Sequence, residues 1–125
     1  MSIKNGNLPH DLLRDLSLDL YSRAGWQPRT DIYRCDEGLL VKLELAGVAE
    51  QDLRISLHKE TLVVEGRRRD WCIPDAQEPL MMEITYDWFR RTIHLAMPVD
   101  PEPMRTEYRD GMLLIYLRSK RDNRT

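Results

Sequence analysis

From Thr30 onward, apolar and polar residues alternate with a period of two, the spacing that places successive side chains on opposite faces of a strand. Leu39 to Leu45 reads LLVKLEL, with Val41, Leu43 and Leu45 on one face and Lys42 and Glu44 on the other. Leu53 to His58 alternates in the same way, and further strand-like runs are Thr61 to Glu65, Phe89 to Leu95, Met104 to Tyr108 and Met112 to Leu117. Asp110-Gly111 lies between the last two, and Asp-Gly flanked by alternating apolar residues is the strongest short-range hairpin signal. Asp36-Glu37-Gly38 and His58-Lys59-Glu60 read as two more turns. Short strands at close spacing, without a helical pattern between them, predict an all-β fold: an immunoglobulin-like antiparallel β-sandwich.

Two stretches depart from this rhythm. Arg67 to Trp88 is polar, contains Pro74 and Pro79, and exceeds ordinary hairpin loops, which predicts a functional or mobile segment projecting from the sandwich. Ahead of the strands, Leu12, Leu13, Leu16 and Leu20 follow a helical stripe, with Pro9 and Asp11 at its start and Gly25 as its stop. Leu18 and Trp26 lie off that stripe. A helix this short is marginal in water alone, so its leucines must find a surface or stay mobile. The expected organisation is a Leu-rich N-terminal arm over 1–27, helical or flexible, a β domain over 28–118 and a short tail over 119–125.

Length and charge narrow the function classes. At 125 residues the chain holds one domain, and roughly two-thirds of its unfolded surface is buried on folding, enough for a core without metal or disulfide staples. A net charge of −2 gives no general attraction for a phosphate backbone or an anionic membrane. The arm is neutral, 28–118 carries −4 and the last seven residues +2. The longest apolar run, Met112 to Leu117, is about a third of a membrane helix, and the N-terminus shows no secretory h-region. Cys35 and Cys72 stand far apart with no C-x-x-C, so reduced thiols in the cytoplasm are expected. No cofactor or metal site is indicated.

Candidate catalytic residues are few. His10, His58 and His94 are scattered, no G-x-S-x-G elbow occurs, and no G-x-x-x-x-G-K phosphate loop is present. Arg67-Arg68-Arg69 followed by Asp70-Trp71 reads either as a nucleic-acid patch with a stacking aromatic or as a solvated, edge-protecting or inter-subunit group. The balance favours the second, with neither nucleic acid nor membrane as partner. Cys72, between Trp71 and Ile73, is a redox-sensitive or a half-buried thiol.

Several elements in order resemble a known family. They are Trp26-x-Pro28 followed by Asp31-Ile32, Leu43-x-Leu45-Ala46-Gly47-Val48, Asp52-Leu53-x-Ile55 and Leu62-x-Val64-x-Gly66-x-Arg68. Phe89-x-Arg91 with Leu95 to Asp100, and Asp110-Gly111-Met112-Leu113-x-Ile115, complete the series. Together they resemble the α-crystallin domain of small heat-shock proteins (the Hsp20 family), the ATP-independent holdase chaperones. The 22 residues between Gly66 and Phe89 are similar to the bacterial and plant branch, in which this loop carries a strand exchanged with the partner subunit.

The resemblance implies a homodimer with Leu80, Met81, Met82, Ile84 and Arg91 at its interface. Main-chain hydrogen bonds would supply affinity there, and alternating side chains register. It also implies a groove between the strands Leu53–His58 and Met104–Tyr108, lined from among Leu53, Ile55, Leu57 and Met104, the alternative being that these four are core. Client binding falls to the arm residues Leu12, Leu13, Leu16, Leu18, Leu20, Tyr21 and Trp26, which alternatively pack on their own domain or on the partner. Ala46, Thr106 and Arg118 depart from the family's usual proline, alanine and proline. RSKRDNRT after Leu117 holds no I-x-I tail, so the expected assembly is a dimer or an oligomer held by the arm. The competing function is an adaptor: the same sandwich docked on a larger chaperone without holding clients.

Overall fold

The computed structural model describes residues 4–5, 26–70, 75 and 78–120. The strands are β1 (Lys4–Asn5), β2 (Thr30–Cys35), β3 (Gly38–Glu44), β4 (Leu53–His58), β5 (Thr61–Arg68), β6 (Asp87–His94), β7 (Val99–Arg109) and β8 (Met112–Ser119). A single 3-10 turn, Glu50–Asp52, precedes β4, and no other helix occurs among the described residues. The Leu-rich stripe from Leu12 to Leu20, Tyr21 and Cys72 lie outside the described residues.

The described strands form two four-stranded sheets, β1-β4-β5-β6 and β2-β3-β8-β7, stacked as an antiparallel sandwich in which, among these strands, only β1 runs parallel to its neighbour. Alternation decides which side chains meet. On β3, Leu39, Val41 and Leu43 turn inward to face Leu113, Ile115 and Leu117 of β8 and Leu53, Ile55, Leu62 and Val64 of the other sheet, and all ten are buried. Removing such side chains from water is worth about 1.5–3 kcal/mol each, which makes this layer the main source of stability. Asp110 (φ 52°) and Gly111 (φ 78°) both occupy the left-handed region, the two-residue hairpin geometry whose twist matches the flanking strands.

Phe89 fills the end of the core because Gly66 opposite it has no side chain. A Cβ there would lie 2.3 Å from the Asp52 carbonyl oxygen and 3.0 Å from the Phe89 ring. β5 departs from one-sided alternation. Val63 and Glu65 face away from the core yet are buried, and Glu65 pairs with Arg90 at 3.4 Å. β7 reaches back to Val99 through Pro101 and Pro103, and the register against β8 shifts between Val99 and Met104, where prolines leave no ladder donors.

Tyr108 ties β7 to the crossing between sheets. Its hydroxyl lies within hydrogen-bond reach of the Leu45 carbonyl and of the Val48 carbonyl, the latter at 2.8 Å. Burial pushes this phenol above the ordinary tyrosine pKa, partly offset by the bond to Val48. Its contribution is therefore present below the ordinary tyrosine pKa and is lost as pH rises through the raised value. Tyr108→Phe is expected to cost about 1–2 kcal/mol at neutral pH, since it leaves the carbonyls of the buried Leu45 and Val48 without that donor. Urea denaturation checks this, and a loss below about 0.5 kcal/mol would show that water replaces the hydroxyl.

Candidate functional site

Trp26 forms a parallel bridge with Phe89 at the outer edge of β6, and the chain then crosses to Thr30 at the start of β2. The edges of β6 and β2 therefore lie on one side of the sandwich, and β7 and the short β1 that lines β4 on the other. The long segment between β5 and β6 emerges on the first side. Within it Leu80 is 91% exposed, Met81 77%, Met82 67% and Ile84 65%, and 81–86 hold no regular pairing. Four large apolar side chains within five residues at such exposure mark an interaction surface.

The root of this segment is fixed. Asp87 takes a left-handed conformation (φ 77°), unfavourable for a residue with a Cβ, and opens β6 with a sharp change of direction. Arg67 Nε donates to Asp87 Oδ1 at 2.9 Å, and Trp26 Nε1 donates to the Asp87 carbonyl at 3.2 Å. Arg69 grips Asp52 with two bonds of 2.9 Å and holds that carboxyl below the usual aspartate range. Each arginine of the 67–69 run is thus engaged within the sandwich, with Arg68 bound to main-chain carbonyls. No sequence signal names these partners, because they lie 17 or more residues away.

β2 pairs with β3 along one edge only, and among the described residues its other edge is unpaired. Ile32 and Tyr33 on this strand are about half-exposed. Arg91 shares the inward face of β6 with the buried Phe89 and Ile93, and its buried Nε finds no hydrogen-bond partner among the described residues.

On the opposite side, Leu53 and Ile55 are core, whereas Leu57 and Met104 are partly buried and pack against it. The β4 edge there carries Lys4 and Asn5 of β1, in register with Arg54 and Ile55. Trp26 is half-buried, its ring 4.9 Å from that of Phe89. Cys35 is exposed and free.

These features meet on a scaffold that comparison with known proteins identifies. The model of the Hsp20/alpha crystallin family matches residues 31–125. The chain belongs to the Hsp20/alpha crystallin family. Among sequence relatives, small heat shock protein C2 of Rickettsia felis is 26% identical over 98 residues, 78% of this chain and 64% of that protein. Small heat shock protein HspE of Bradyrhizobium diazoefficiens is 32% identical over 108 residues, 86% of this chain and 69% of that protein. The chain thus spans roughly two thirds of the length of such relatives.

Two solved structures share the fold. HSP18.5 from E. histolytica aligns with a TM-score of 0.67 at 22% identity, covering 80% of this chain and 95% of that one. A small heat-shock protein from Xylella fastidiosa, described as having a distinct high order structure, aligns at 0.69 and 21% identity, covering 80% and 92%. The expected immunoglobulin-like sandwich is therefore the α-crystallin domain. Membership in the Hsp20/alpha crystallin family supports a chaperone role. No helix among the described residues is long and apolar enough to cross a membrane.

Proposed function

We propose that this Hsp20-family chain is an ATP-independent holdase that binds non-native proteins through exposed apolar surface and suppresses their aggregation. It acts as a cytoplasmic homodimer built by strand exchange, with unfolding polypeptides as its other partners and neither nucleic acid nor membrane among them. The organisation proposed is arm, domain and tail over 1–27, 28–118 and 119–125. The observation that carries the reading is the exposed, unpaired run Leu80-Met81-Met82-x-Ile84 held out from a fixed corner. An extended segment of this kind gains main-chain hydrogen bonds by adding to a free sheet edge.

The edges available favour β2 as the acceptor. β7 carries Pro101 and Pro103, which lack donors, and the β6 edge is bridged by Trp26. Among the described residues β2 offers a free edge with Ile32 beside it, and the docked strand would face Arg91, whose Nε is buried. Clients would then be held by the arm leucines, with the groove beside Leu57 and Met104 as a second surface.

Light scattering of a heated model client, with the protein at near-stoichiometric ratio and no nucleotide, tests the function. Suppressed aggregation is expected. Unprotected client would overturn the holdase in favour of a docking adaptor.

A further inference from the structure

β5 runs out in Arg68, whose guanidinium touches three parts of the chain far apart in sequence. Nε donates to the Thr85 carbonyl at 2.9 Å, Nη2 donates to the same oxygen, and Nη1 reaches the Ala46 carbonyl at 3.2 Å. Its Cζ lies 3.9 Å from the centroid of the Trp26 ring, close enough for a cation–π contact. The aliphatic stem runs past Gly47, where a Cβ would stand 3.2 Å from Arg68 Cδ.

The two outer contacts join the surfaces on which the proposed function depends. Thr85 directly follows the exposed run 80–84, and Trp26 lies at the domain end of the proposed arm over 1–27. Charge-assisted bonds from a planar fork fix direction as well as distance, which a lysine ammonium at the same place would not. The left-handed Asp87 two residues beyond Thr85 needs such fixing, because an unheld corner would relax to an ordinary extended backbone and swing 80–84 to a new heading.

We propose that Arg68 is a positioning residue that couples the arm to the exchange segment: with Trp26 seated on its guanidinium, the fork is held flat against Thr85 and aims 80–84 at the partner. This rests on the strand-exchange reading given above. Unseating Trp26 uncovers one face of the guanidinium and loosens its grip on Thr85. By reciprocity of coupled equilibria, dimerisation in turn tightens the seat of Trp26. A client that draws the arm away from the domain would weaken the dimer, and a dissociated subunit would release its arm.

Full-length wild type, Arg68→Met, Arg68→Lys, Trp26→Leu and the Arg68→Met/Trp26→Leu double variant are compared by sedimentation equilibrium. Amide hydrogen exchange is followed at Thr85 to Trp88, and circular dichroism verifies the fold. Arg68→Met and Trp26→Leu should each raise the dimer dissociation constant about five- to tenfold. The double variant should exceed neither by more than about twofold, since residues acting through one contact are not additive. Arg68→Lys, which keeps the cation but not the fork, should recover only part of the affinity.

Exchange at Asp87 and Trp88, which pair with Arg68 and Arg67 at the start of β6, should quicken in Arg68→Met whatever the assembly state. Dissociation constants within about twofold of wild type, or additive effects in the double variant, would overturn the coupling. A wild type that is monomeric at about 100 µM would instead overturn the strand-exchange reading. The exchange rates would then still decide whether Arg68 holds the corner: unchanged rates refute it and faster rates support it. If Arg68→Met does not fold, Arg68→Lys carries the same comparison.

Discussion

Replacing Leu80 and Ile84 together with aspartate is expected to raise the dimer dissociation constant at least a hundredfold while leaving the sandwich intact. Residues 80, 82 and 84 fall on one face of an extended strand, so both substitutions strike the face carrying Met82, whichever side of the partner's β2 it covers. Burying one such apolar side chain is worth about 1.5–3 kcal/mol, and a carboxylate buried in its place costs more, so two sites together exceed the roughly 2.8 kcal/mol that a hundredfold change requires. The fold should survive because in the single chain these side chains are largely solvent-exposed and belong to no part of the core. Sedimentation equilibrium reads the first claim and circular dichroism the second. An unchanged dissociation constant would remove 80–84 from the interface, and loss of the β signal would mean that the segment supports its own domain.

The sandwich was legible because its strands alternate against one buried layer. Val41, Leu43, Ile55, Val64 and Ile115 each sit at an apolar position of a period-two run, and each is fully buried. Asp110-Gly111 announced its hairpin for a local reason, the tolerance of both residues for positive φ. Features set by distant contacts left no such trace. Nothing in the run Thr61 to Glu65 shows that Glu65 is buried beside Arg90, and the period that marks Met104 to Tyr108 does not extend to the proline-bearing start of β7. Lys4–Asn5 is too short to show any period. Arg67 to Arg69 reads as a nucleic-acid patch or as a solvated, edge-protecting or inter-subunit group, because a sequence displays charges and not the carboxylates and carbonyls of its own chain that topology brings to them. The same holds for Trp26. Grouped with the arm by its neighbours, it is placed by Phe89 and Arg68 against the domain.

That placement of Trp26 shapes the test of the arm. Truncation through residue 27 would take away a ring packed on Phe89 and disturb the approach to the buried Pro28, confounding loss of grip with loss of fold. Changing Leu12, Leu13, Leu16, Leu18 and Leu20 to serine, with Tyr21 and Trp26 kept, isolates the apolar surface. Five leucines engaging a client are worth about 8–15 kcal/mol gross at 1.5–3 kcal/mol each. Ordering of the arm and client and the loss of free motion consume much of this. A net loss of about 2–3 kcal/mol on substitution corresponds to apparent client affinity weakened at least thirtyfold. In the heated-client assay, protection that is complete near stoichiometry in the wild type should then require a large excess of the variant, with circular dichroism and the dimer dissociation constant unchanged. If the five-serine variant protects as well as the wild type, the proposed grip lies in the sandwich, and the groove beside Leu57 and Met104 becomes the surface to test next.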